Sequence, residues 1–315
     1  YPHNIHFVLI SAQMAGDRQT ALEYARRLEG KISDEAAERV GWIQAIVPAP
    51  YFAHVQFSTP ETILALPDPG GKFPFVRAMW HYARGVAYAT QGQVERARRE
   101  AAKIAELHQK TGNDYPADLA PVAPDVLRIA RHVVEGRIAQ AEGDAERAVK
   151  EFEVAIAIQD ALPYLEPPFW YYPVRQSLGA ALLAAGKPEE AEAAFQRSLE
   201  QFPKSGWALY GLMQAQQAQG KTAAAQETEQ RIQNLIPEGS ITTQTRLVLT
   251  NAIYFPSNCA QRFPKDATRD DTFHLGGGRT ATVPMMHQQK RFGYMQTDRF
   301  QAVELPYTGN RLSML

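Results

Sequence analysis

Along most of this chain, apolar positions follow helical spacing, and small residues recur among them at fixed intervals. A glycine is followed five residues later by an alanine five times: Gly16/Ala21, Gly92/Ala97, Gly143/Ala148, Gly186/Ala191 and Gly220/Ala225. A further glycine stands seven positions before the turn glycine at Gly85, Gly136 and Gly179. Large residues such as Phe152, Leu182, Phe195 and Leu199 occupy the intervening apolar positions. The pattern predicts pairs of antiparallel helices. Each turn glycine ends a first helix in a left-handed conformation. The earlier glycine and the later alanine let the two helices cross closely. The large residues fill the space between neighbouring hairpins. A single hairpin leaves an apolar face uncovered, so the hairpins must stack into a solenoid.

The two clearest copies fix the period. Leu178 maps onto Leu212, Gly186 onto Gly220, Ala191 onto Ala225 and Pro203 onto Pro237, each 34 residues apart. The turn glycines at 92, 143 and 186 are more widely spaced, so connectors rich in Pro or polar residues are expected around 113–124 and 161–168. Residues 33–71 contain Pro48, Pro50, Pro60, Pro67 and Pro69, which predicts short helices at irregular angles. Asp144 and the run Lys187-Pro188-Glu189-Glu190 are suited to helix starts. These residues resemble the tetratricopeptide repeat (TPR) family, over residues 1–225. The resemblance implies a mainly α fold, a TPR-like α-solenoid, with the first helix of each hairpin facing a concave groove.

After residue 225 the repeat fades. Glu229 occupies the position that Phe195 holds one repeat earlier. From residue 247 the pattern becomes β-branched and aromatic, with turn residues between short runs, which predicts strands. The run 247–255 suits a strand buried on both faces. Residues 273–275 and 279–283 flank Gly276-Gly277-Gly278, a hairpin turn, and 292–295 and 302–305 are two more short strands. The sequence Thr245-Arg246-Leu247-Val248-Leu249-Thr250-Asn251-Ala252-Ile253-Tyr254-Phe255 resembles the central sheet strand of the serpins, the serine-protease inhibitors. Val283-Pro284-Met285-Met286 and Glu304-Leu305-Pro306-Tyr307 resemble later serpin strand motifs in the same order. On this resemblance residues 226–315 form a smaller β-rich segment, a truncated serpin fragment. Its motif positions are Asn251, Pro284, Met285, Met286, Pro306 and Tyr307. The chain departs from the family where Lys-Gly and a tryptophan usually follow that strand: here stand Pro256, Ser257 and Cys259. The serpin bait loop lies beyond Leu315 in the family, so a non-inhibitory fragment is expected. Protease inhibition is the competing reading. The join near residue 226 admits two origins, a natural recombination or two genes assembled into one reading frame.

Composition narrows the function. Net charge is -1, and hydrophobic and charged residues make up 45% and 21%. Neither a nucleic-acid nor a membrane partner is therefore expected. One cysteine, Cys259, rules out an intrachain disulfide. The chain begins at Tyr1, so an N-terminal segment is expected to precede it.

Chemistry candidates are few. His3 and His6 share a helix face and, with His54, have metal-ligand potential, but no acidic or cysteine partner stands at a matching spacing. They are expected to cap or pack the first helix. Trp80-His81-Tyr82 and Phe169-Trp170-Tyr171-Tyr172 are expected as fillers between helices, with lining a peptide groove as the alternative. The charged stretches 95–100 and 189–192 are expected as solvated faces. No catalytic constellation, metal or cofactor is expected, so the chain is not read as an enzyme. The expected function is a scaffold that holds a peptide or partner protein in the concave groove. The groove candidates are Tyr82, Arg137, Gln140, Gln176, Trp207, Tyr210 and Gln214. Self-association is expected through the exposed serpin-like strands.

Overall fold

A computed structural model describes residues 2–111, 114–233, 264–274, 280–296, 301–306 and 313–314. The chain forms two compact units, residues 1–253 and 254–315.

The first unit is helical. Pro2–Ala15 (α1) and Arg18–Leu28 (α2) form its first hairpin. Short elements follow: Asp34–Arg39 (α3), a 3-10 turn at Gly41–Ala45, Ala49–Phe57 (α4) and Pro60–Leu64 (α5). Four longer hairpins come next: Pro74–Thr90 (α6) with Val94–Thr111 (α7), and Ala123–Ala141 (α8) with Ala145–Ala161 (α9). Val174–Ala184 (α10) pairs with Pro188–Gln201 (α11), and Gly206–Ala218 (α12) with Thr222–Gln233 (α13). Each of these hairpins packs against the next.

One turn geometry closes all five hairpins. Gly16, Gly92, Gly143, Gly186 and Gly220 have φ between 70° and 77°. At the turn of α8 and α9, the Asp144 amide donates back to the Ala139 carbonyl at 2.9 Å. The same bond joins Asp17 to Ala12, Gln93 to Tyr88, Lys187 to Leu182 and Lys221 to Gln216, each at 2.9 Å. This six-to-one bond satisfies a carbonyl left open by the helix end, and only glycine takes that φ without a Cβ clash. Asp144 then caps the second helix, accepting from the Arg147 amide at 3.0 Å.

The earlier glycines serve packing. A Cβ on Gly136 would lie 2.7 Å from the Phe152 ring, and one on Gly179 would lie 2.5 Å from Phe195. At Gly85 the neighbour is Val134 of the next hairpin, at 2.8 Å. Each glycine is thus the hole that receives a large side chain. Phe152 is fully buried in a core running from Leu9 to Ala181, and Phe195 centres a second cluster from Leu182 to Ala215.

The two aromatic runs meet in that core. Trp170 packs edge-on against Phe52 and Tyr82, with ring centroids 5.0 and 5.1 Å apart. Tyr82 is completely buried, and its hydroxyl lies 3.2 Å from that of Tyr172. Burial pushes the Tyr82 phenol well above its ordinary pKa. Tyr82 is therefore a core residue, not a groove residue. Both charged stretches also differ in part from expectation. Glu100 is buried between α6 and α7, where it meets His81 Nδ1 at 2.5 Å and accepts from Arg84 Nε at 3.0 Å. His132 and Glu151, both 51 residues further on, repeat the contact at 2.7 Å. Glu192, likewise expected to be solvated, accepts from Gln219 and Lys221 at 2.7 Å.

In the second unit, Arg269–His274 (β1) pairs antiparallel with Thr280–Met285 (β2), with Asp271 opposite Val283. Gly293–Gln296 (β3), Gln301–Pro306 (β4) and Ser313–Met314 (β5) form an antiparallel sheet in that order. Along β2, Ala281, Val283 and Met285 are half-buried, while Thr280, Thr282 and Pro284 are exposed. β1 begins earlier than the apolar pattern indicates, because pairing with β2 extends through Arg269, Asp270 and Asp271. The expected strand at 247–255, with Asn251, lies outside the described residues, as do Gly276–Gly278, Cys259 and Tyr307.

Candidate functional site: a groove beside alternate helices

α8, α10 and α12 are the first helices of successive hairpins. Beside them lies a cavity of about 480 Å³, which α4 also lines through Val55 and Gln56. Five of the seven groove candidates line it: Arg137, Gln176, Trp207, Tyr210 and Gln214. Gln140 stands next to it, accepting from Arg137 Nη1 at 3.0 Å. Tyr82 lies elsewhere, in the core.

Local structure sets each side chain. Arg137 Nη2 donates to Ser177 Oγ at 3.1 Å, so α8 holds its guanidinium against α10. The same guanidinium lies 5.7 Å above the Phe152 ring. Gln176 donates to Ser205 Oγ at 3.2 Å, and that hydroxyl also accepts the Ala208 amide at 3.3 Å to start α12. The cap at Ser205 turns Trp207 and Tyr210 outward. They remain 45% and 57% exposed, unusual for rings of this size. Trp207 leans on Gly16, where a Cβ would lie 3.8 Å away, and its ring centroid is 6.4 Å from that of Phe57. Helix α12 therefore touches both the first hairpin and α4.

The electrostatics are simple. No carboxylate lines the cavity, and Arg137 makes no ion pair among the described residues. Its wall combines an apolar surface, with Val55, Ala180, Leu183 and Phe195, with glutamine and serine groups, two exposed rings and a cation that has no ion-pair partner among the described residues. A smaller space adjoins it between Gln13, Gln56, Gln176 and Trp207. There Gln13 Nε2 donates to Gln56 Oε1 at 3.1 Å, while Gln13 Oε1 is buried without a partner among the described residues. This wall can bind an extended chain and an acidic group. It contains no nucleophile and base in contact.

Sequence reasoning missed Gln56 and Ser177, while Tyr172, from the second aromatic run, also lines the cavity. Ser177 follows Gln176 on the same helix and was within reach of the repeat pattern. Gln56 comes from a segment outside the repeat and had no periodic signal. The histidines expected to pack the first helix are placed separately. His6 meets Tyr171, and His54 Nδ1 lies 2.9 Å from Ser58 Oγ. Among the described residues, no group of three or more His, Cys, Asp or Glu could hold a metal. No helix among them is long and apolar enough to cross a membrane.

In the second unit, Pro284 and Met286 are exposed and Met285 is half-buried. Pro306 ends β4. Residues 180–315 match the family model of Serpin, serine protease inhibitor. The match begins inside α10 and so overlaps helices that the 34-residue period assigns to the repeat. An uncharacterized serpin-like protein of Thermococcus kodakarensis is 47% identical over 90 residues, 29% of this chain and 20% of that protein. A leukocyte elastase inhibitor of Equus caballus is 44% identical over 91 residues, 28% of this chain and 24% of that protein. A serpin-like protein of Methanosarcina mazei is 40% identical over 87 residues, 28% of this chain and 20% of that protein. The chain thus spans about a fifth to a quarter of the length of these relatives.

Proposed function

We propose that this chain joins a partner-binding helical module to a serpin-type region. The helical module is read as a tetratricopeptide-type solenoid, on the repeated turn geometry and the glycine holes. The single observation that carries the binding reading is the groove, with Trp207 and Tyr210 exposed beside Arg137, which makes no ion pair among the described residues. Exposed aromatic rings anchor partners at low entropic cost, and an uncompensated guanidinium selects a carboxylate. The occupant is an extended peptide segment carrying an acidic group. The test is selection of peptides from a display library on the intact chain. Selected peptides are expected to weaken about tenfold or more with Trp207→Ala, Tyr210→Ala and Arg137→Gln, at unchanged melting temperature. Selection of the same peptides with equal affinity by the triple variant would refute the groove.

A second reading concerns the C-terminal region, and the family comparisons favour it over the scaffold role. Residues 180–315 match a serine protease inhibitor family, and one relative is named a leukocyte elastase inhibitor. On that basis the region acts on a serine protease of the elastase type. On this competing reading, and against the non-inhibitory expectation drawn from the bait loop, incubation of the intact chain with such a protease yields a complex that survives a denaturing gel. Full residual protease activity with no such complex would leave the groove as the chain's function.

A further inference from the structure

A second cavity of about 380 Å³ lies at the start of α1, on residues that the groove does not use. Its body is apolar and aromatic: Ile46, Pro167, Pro168, Phe169 and Tyr171, with Trp42 and Leu165 among its walls. Trp42 and Leu165 are 42% and 43% exposed, and the sequence neighbour Tyr164 is 52% exposed. Large apolar side chains are thus left open to water around one cavity, where an isolated surface residue would need no explanation.

The charge is one-sided. Asp118 and Glu166 line the cavity, and no lysine or arginine does. Asp118 accepts the Trp42 amide at 3.1 Å, and Glu166 accepts the Tyr164 hydroxyl. Among the described residues neither carboxylate makes an ion pair. Two histidines, His3 and His6, share the wall, and His6 adds no positive charge to offset the carboxylates. Tyr171 donates its hydroxyl proton to the Ala45 carbonyl at 3.0 Å, so it accepts from His6 Nε2, also at 3.0 Å. Burial, with His3 nearby, lowers the His6 pKa to about 4, so its ring is neutral at neutral pH.

We infer that this cavity binds a small organic amine, a cation whose aromatic or aliphatic body fills the apolar interior while its ammonium faces Asp118 and Glu166. The volume is within the range of small-ligand sites. Trp42 and Phe169 line the cavity, and aromatic rings attract a cation, which adds to the two carboxylates. The site is separate from the groove, so neither reading depends on the other.

Calorimetric titration of the intact chain with three compounds of one shape tests this. Tryptamine carries the cation, 3-ethylindole is its neutral counterpart, and indole-3-propionate is the anion. Tryptamine is expected to bind about tenfold more tightly than 3-ethylindole, with indole-3-propionate weakest. Combining Asp118→Asn with Glu166→Gln should remove that preference; both residues are exposed, so the fold is expected to persist. Trp42→Ala should weaken all three compounds. Absence of tryptamine binding at millimolar concentration, equal binding of tryptamine and 3-ethylindole, or an unchanged preference in the double variant would each overturn the inference.

Discussion

The helical unit and the strand-bearing unit solve the burial problem by different routes. In the helical unit the large side chains Phe152 and Phe195 have their holes encoded nearby: Gly136 and Phe152 are 16 residues apart, as are Gly179 and Phe195. The turn geometry and the closing hydrogen bond recur in every hairpin, so each one carries the instructions for its own packing. Strand β2 of the strand unit buries none of its residues and alternates only between exposed and half-buried. Its polar strand β1 is defined by pairing, and a strand's face is covered only by elements that its own sequence does not specify. Local encoding makes a repeat foldable from short-range information. A sheet needs partners that lie elsewhere.

The largest effect expected from this contrast is at Phe152. Phe152→Ala should destabilise the helical unit by about 3–5 kcal/mol, read as a lower urea midpoint of the far-ultraviolet helical signal. A loss below about 1 kcal/mol would mean that the glycine–aromatic fit does not hold the hairpins. A somewhat smaller effect is expected from acid. His6 is buried, and its pKa falls from 6.5 to about 4 on folding. The unfolded chain takes up a proton below pH 6.5 while the folded chain resists until about pH 4. Stability is therefore full above pH 6.5 and is lost by about 3 kcal/mol as pH falls toward 4. Denaturation curves across that window should flatten in His6→Gln by that amount. His54, whose pKa burial also lowers, contributes a loss of the same sign and remains in the variant. An identical slope in the variant would show that His6 is not the titrating group.

Much of the helical unit was legible in the sequence, for a physical reason. Gly143 and Asp144 fix a turn and a cap within a few residues, and Gly136 with Phe152 fixes a crossing within one hairpin. The groove was legible to the extent that it lies on repeated first helices, which is how Arg137, Gln176, Trp207, Tyr210 and Gln214 share one cavity. What depended on contacts across the unit was not legible. The connector carrying Trp170 and Tyr171 folds back onto Phe52, and this puts Tyr82 inside and Gln56 at the groove. Glu100 reads as one charge among many on α7. Its burial follows from His81 and Arg84, which lie across the hairpin and satisfy it. Strands β2, β3 and β4 were visible as short runs of β-branched and aromatic residues, β1 only at its end from residue 273, and β5, only two residues long, offers too little pattern to detect.

Hydrogen exchange of the intact chain, read segment by segment, tests the contrast most directly. Amides of α8 and α9 should exchange only through global opening of the helical unit, orders of magnitude more slowly than unprotected amides. Amides of β1 and β2 should exchange through local opening, with far smaller protection. Equal protection in the two units would contradict the account, because it would require the strands to be held by a core as complete as that around Phe152.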